Sequence, residues 1–143
     1  MNIAALNGKE LKLLLEDINK DPEFQLASRH TFLELALGYG LDYFDPQLVF
    51  TIAGGQIVKI EPILEDRSGL TYSAPQVTIK GTPEFWGKFL TPMPPPYFNN
   101  CSSGSMLGSG VISGSEELHA AYFWAIFRLM EVMRIVLVGQ QKP

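Results

Sequence analysis

His30 and His119 are the only histidines of the chain, and histidine is the side chain best suited to moving a proton near neutral pH. Neither has a carboxylate or cysteine at the spacing of a metal site, so both read as surface or capping residues. Cys101 is the single cysteine, set between Asn100 and Ser102. One cysteine excludes an internal disulfide and the cysteine-based zinc patterns, and nothing beside it in the sequence would lower its pKa. Asp42 and Asp45 flank Tyr43-Phe44. An acid beside aromatic rings is what a small isomerase or lyase would use on an apolar substrate. Pro46 follows directly, however, and turn chemistry is the plainer role for the pair. The glycines from Gly104 through Gly108 and Gly110 to Gly114 invite a phosphate-loop reading. No Gly-Lys-Ser/Thr follows, and the spacing misses the dinucleotide pattern by one residue. No catalytic residue, metal ligand or cofactor is expected.

What remains is apolar volume. Nine Phe, five Tyr, two Trp and five Met are many soft, bulky groups for 143 residues. Core packing accounts for most of them, while the spread of Met93, Met106, Met130 and Met133 favours an adaptable cavity. With 46% hydrophobic and 18% charged residues the chain reads as an ordered globule, and its length fits one domain over 1–143. A net charge of -4 offers no cationic face for a phosphate backbone, so nucleic acid is not an expected partner. The N-terminus lacks the pattern of a secretory signal. No run approaches the ~20 apolar residues that cross a bilayer, and Gln141-Lys142-Pro143 is no sorting address. The default location is the cytoplasm.

The elements that would position these groups begin with an N-terminal helical segment, 1–28. Leu6, Leu11, Leu14, Leu15 and Ile18 form one apolar stripe, Asn7 is a natural cap, and Asp21-Pro22 ends one helix and starts a short second one. Alternation over Thr31–Leu37 predicts a strand. LVFTIA, Gly54-Gly55 and QIVKIEPI form a hairpin whose Pro62 ends the second strand or marks an edge. A polar loop at Glu65–Gly69 precedes Thr71-Tyr72, which could pair briefly. Two strand-to-helix units frame the rest. In the first, Val77 and Ile79 face one side, Gly81 permits a tight exit, Thr82 caps and Pro83 opens a helix bearing Phe85, Phe89 and Leu90, with Trp86 beside that face. In the second, Val111–Ser113 leads through Ser115 into a helix running to about Val136. More than half of that helix's circumference is apolar, beyond what one sheet face needs. A second helix, a partner subunit or a ligand must cover it. Between the units lies the Pro/Gly/Ser-rich segment 91–110, about 20 residues, a length usual for lids and binding loops.

Thr51–Ile60 (TIAGGQIVKI), Val77–Trp86 (VTIKGTPEFW) and Val111–Gly114 (VISG) leading into the long helix resemble the sterol carrier protein (SCP-2-like) superfamily over roughly Leu48 to Arg134. The resemblance implies an α/β (α+β) fold with about five mainly antiparallel strands covered on one face by helices. It also implies an apolar tunnel between sheet and helices for fatty acid, acyl-CoA or sterol. Segment 91–110 departs from the short connection usual in that family.

The leading reading is a non-enzymatic lipid-binding protein with a role in lipid transport. Phe85, Phe89, Tyr122, Ile126 and Met130 would form the cavity wall, and Met93, Tyr97, Phe98 and Met106 a lid. An alternative is an interaction module accessory to an enzyme, or a homodimer through the last helix. The third reading is the isomerase or lyase using Asp42, Asp45 or His119.

Overall fold

The computed structural model describes residues 2–42, 45–63, 75–94 and 110–140. After a 3-10 turn at Ile3–Ala5 come α1 (Gly8–Lys20) and α2 (Pro22–Ala27), then strands β1 (Phe32–Tyr39), β2 (Gln47–Ala53), β3 (Gln56–Ile63) and β4 (Val77–Gly81). Helix α3 (Pro83–Phe89), β5 (Gly110–Gly114), α4 (Glu116–Ala121) and α5 (Phe123–Gln140) follow.

The caps are chemical and local. Asn7 and Glu10 form a reciprocal capping box at the start of α1, the Asn7 side chain accepting from the Glu10 N–H and Glu10 accepting from the Asn7 N–H. Asp21 accepts from the Phe24 N–H with Pro22 at the first helical position, and Thr82 and Ser115 cap α3 and α4 in the same way. Gly54 and Gly55 both adopt positive φ, 58° and 91°, the backbone that a two-residue turn between twisted strands requires.

The five strands form one sheet in the order β3-β2-β1-β4-β5. Only β1 and β4 run parallel; the other pairs are antiparallel. Register aligns Leu33, Leu35 and Leu37 with Ile52, Phe50 and Leu48, and Leu35 and Leu37 with Val77 and Ile79. All of these side chains are buried, so one continuous apolar face meets the helices. The opposite face carries Glu34, Thr51, Thr78 and Lys80, each partly exposed. Pro62 lies within β3, the outermost strand, where a missing N–H costs no ladder bond.

β3 is tied down by a side chain. Asn19 on α1 donates from Nδ2 to the Ile57 carbonyl (2.9 Å) and accepts the Ile57 N–H at Oδ1 (2.6 Å), acting as a one-residue strand partner where the β2–β3 register shifts. The first glycine of the β4–α3 unit acts by space rather than by backbone freedom. A Cβ at Gly81 would lie 2.5 Å from Phe85 Cδ1 and 2.8 Å from Trp86 Nε1.

Two expectations need correction. The last helix is not continuous: it breaks at Tyr122, whose φ of -108° and ψ of 21° fall in the bridge region. Tyr122, Phe123 and Trp124 are consecutive aromatics, which are weak helix formers. The short α4 buries no residue and so has little packing to hold it in line with α5. Trp86, expected beside the apolar face, is fully buried, its Nε1 donating to the Gly38 carbonyl at 2.9 Å. The wide apolar surface of α5 is covered by α1 and α2 as well as by the sheet-side core.

Candidate functional site

Phe85, Phe89, Ile126 and Met130, four of the predicted wall residues, are buried in one hydrophobic cluster with Leu35, Phe50 and Ile79 of the sheet. Phe85 and Phe89 stack with centroids 6.0 Å apart, and Trp86 stands edge-on to them at 5.0 and 5.7 Å. Side chains from sheet and helices thus pack directly against each other in this part of the interior. Tyr122 is half-buried at the α4–α5 break. Met93 is 88% exposed. Tyr97, Phe98 and Met106, like Cys101, Thr71-Tyr72 and most of segment 91–110, lie outside the described residues.

Hollows lined by described residues lie on the outside of this core. One, of about 190 Å³, runs between Thr91-Pro92 and the last turns of α5 at Arg134, Ile135, Val138 and Gly139. Apolar side chains form much of it, and Arg134 Nη1 donates to the Pro92 carbonyl at 3.2 Å across it. A wider cleft of about 520 Å³ lies between the end of α2 and the start of α5, lined by Glu23, Leu26, Ala27, Arg29, His30 and Trp124. Leu26 and Trp124 are 63% and 70% exposed there. Phe123 and Phe127 stack at 5.9 Å, with Trp124 edge-on to both. A third hollow, about 430 Å³, is bounded by Lys9, Glu10, Leu13 and Gln140.

The charged groups near α5 divide sharply. Arg128 forms a side-on fork with Asp21, Nε to Oδ2 and Nη2 to Oδ1, both 2.8 Å, and its Nη1 lies 3.2 Å from Glu131 and 3.4 Å from Glu23. The Arg128 hydrogen bond holds the Asp21 carboxyl below its ordinary range, and the same bond raises Arg128. Arg134, nearly two turns on, has no such company among the described residues. Its Nε is buried and has no hydrogen-bond partner among them.

Of the acids considered for catalysis, Asp42 and Asp45 bond to each other. The Asp42 N–H donates to Asp45 Oδ2 at 2.9 Å and the Asp45 N–H donates to the Asp42 carbonyl at 3.2 Å, so this pair closes a turn before β2. His119 sits edge-on to Phe123 at 6.0 Å, and burial lowers its pKa, favouring the neutral ring. His30 is exposed. No group of three potential metal ligands converges among the described residues, and none of the described helices is long and apolar enough to cross a membrane.

Sequence reasoning passed over Arg134. The signal was present: a lone cation inside the apolar run Val132-Met133-Arg134-Ile135-Val136.

No protein-family model matches the sequence, and no curated protein matches it. The fold does have relatives. A crystal structure of sterol carrier protein 2 superposes with a TM-score of 0.69 at 16% identity, covering 90% of this chain and 95% of the other. A conserved hypothetical protein of Thermus thermophilus, described as a sterol carrier protein candidate, gives 0.67 at 18% identity, covering 91% and 87%. The ubiquinone synthesis protein UbiJ-SCP2 gives 0.51 at 13% identity, covering 86% and 90%. The fold is SCP-2-like, as the three sequence stretches implied.

Proposed function

We propose that this chain is a non-enzymatic lipid-binding protein that carries a fatty acid, acyl-CoA or sterol on the helix-covered side of its sheet. The observation that carries the reading is the likeness to sterol carrier protein 2 across nine-tenths of the chain. The apolar hollow beside Thr91-Pro92 supports it, since it lies where segment 91–110 leaves α3 and could be roofed by Met93, Tyr97, Phe98 and Met106. Ile135 and Val138 give that hollow an apolar floor. Phe85, Phe89, Ile126 and Met130 lie deeper and, with the half-buried Tyr122, would part to admit a long chain. Burial of ligand surface, at ~25 cal/mol per Å², provides the driving force. Native mass spectrometry of protein purified from cells, followed by titration with a fluorescent fatty acid and a fluorescent sterol, tests this. Co-purifying lipid or saturable uptake of either probe is expected; absence of all three overturns the reading.

A second reading draws on a different surface. Leu26 and Trp124 expose apolar area side by side, and an interaction module would bury it against a second copy or an enzyme. A homodimer through α5 predicts twice the monomer mass in light scattering and loss of that dimer in Trp124→Glu. A monodisperse monomer excludes the homodimer.

A further inference from the structure

Arg128 and Arg134 share one helix and both are partly buried, yet among the described residues only Arg128 is matched by carboxylates. A guanidinium presents five N–H donors in a planar fork and remains charged at any working pH. In Arg134 the Nη1 corner, on the Cδ side, is taken by the Pro92 carbonyl at 3.2 Å. Nε and Nη2 share the other edge, the one that grips a carboxylate side-on. Arg128 uses that same edge on Asp21. In Arg134 neither atom has a protein acceptor among the described residues, and Nε is withdrawn from solvent. Native structures leave few buried donors in this state, Gln140 Nε2 being another here, and each calls for an explanation such as an ordered water or a bound ion. The charge stands at the border of a hollow walled by Pro92, Ile135 and Val138. Cation and apolar wall together describe an amphiphile.

We propose that Arg134 is the anchor for the carboxylate of a single-chain amphiphile, the head group reaching the Nε–Nη2 edge as the protein atoms that cover Nε in this structure give way, and the first carbons lying against Ile135 and Val138. At about 190 Å³ the hollow is smaller than the usual pocket for a whole small-molecule ligand, so it holds the head and a short stretch of chain. For the remainder of a long chain the inference rests on the lipid-binding reading. For the head group it stands by itself.

Two titrations separate these claims. With 15N-labelled protein, the Arg134 Hε–Nε resonance is followed while sodium hexanoate, hexanol or inorganic phosphate is added at constant ionic strength. A saturable downfield shift with hexanoate alone is expected. No shift with hexanoate, or an equal one with phosphate, overturns the anchor, the first result leaving an ordered water as the partner of Nε and the second a bare anion site. In parallel, palmitate and hexadecanol are compared on wild type and Arg134→Gln. Wild type should prefer palmitate by about tenfold, the scale of one charge-assisted contact, and the variant should lose that preference while binding hexadecanol as before. A preference that survives in Arg134→Gln overturns the anchor. Arg134→Lys, which keeps charge and stem but not the fork, should bind palmitate with intermediate affinity, and wild-type affinity there overturns the side-on geometry. Hexanoate binding without palmitate binding would leave the anchor standing and remove the long-chain reading; the reverse would remove the anchor alone.

Discussion

Replacing Arg128 by Met should cost the fold about 2 kcal/mol, because this one side chain joins the two ends of the sequence. Its fork on Asp21 has two 2.8 Å bonds and connects the N-cap of α2 to the middle of α5, 107 residues away. The partners retain only 22% and 15% of their side-chain exposure. Exposed pairs contribute about 0–1 kcal/mol, whereas breaking a fully buried pair costs about 3–5 kcal/mol. The intermediate burial here places the loss near ~2 kcal/mol, and part of the Asp21 charge still rests on the Phe24 N–H. For a chain of this length that lowers Tm by roughly 5–8 °C. Linkage gives an independent check. The folded Asp21 carboxyl titrates below its unfolded value of 3.8, so its contribution is fully present above that value and disappears as pH falls through the lower folded value. Arg128→Met should therefore lose stability at pH 7 and differ much less from wild type in strong acid. Urea unfolding at pH 7 and in strong acid below the folded Asp21 titration, with Asp21→Ala and the double variant, closes the cycle. A coupling below about 0.5 kcal/mol at pH 7, or a deficit in Arg128→Met that is unchanged in acid, would refute the account.

Gly81→Ala should destabilise by about 2–3 kcal/mol, since the new Cβ meets Phe85 and Trp86 rings that are fully buried and packed on each other. Chemical denaturation checks it, and a loss under 0.5 kcal/mol would mean that α3 can shift freely. Asn19→Ala should cost about 1–2 kcal/mol by leaving the Ile57 N–H and C=O without their shared partner. Amide exchange should quicken at Ile57 more than at Phe50 of the central strand pair; unchanged protection at Ile57 would show that Asn19 is not its effective partner.

The features legible in the sequence were those set within a few residues. Asn7, Asp21-Pro22, Thr82-Pro83 and Gly54-Gly55 each specify a cap or turn by their own chemistry, and all four lie where the sequence placed them. Alternation of Leu33, Leu35 and Leu37 revealed β1 because these three face the core, while Phe32 and Glu34 on the other side stay at least partly exposed and only the small Ala36 and Gly38 are buried there. Features that depend on distant residues stayed hidden. Trp86 is one helical residue beside two other rings until Gly38, 48 positions earlier, supplies the carbonyl that allows its indole to be buried. Arg128 has Glu131 one turn on along α5, but only the arrival of Asp21 and Glu23 from the start of α2 makes it a structural tie.

That last contrast bears on function. An apolar cavity wall and an ordinary apolar core use the same residues, so Phe85, Phe89, Ile126 and Met130 could be found from composition without distinguishing between the two roles. A partly buried cation is different, because burial demands a partner for it. Among the described residues, three acids surround Arg128 and one carbonyl meets Arg134. Evidence for what an apolar-rich fold binds therefore resides less in its hydrophobic residues than in the polar groups that its own packing leaves incomplete. Arg134 is such a group, and it lies beside the hollow where a ligand's head could meet water and its chain could meet Ile135 and Val138.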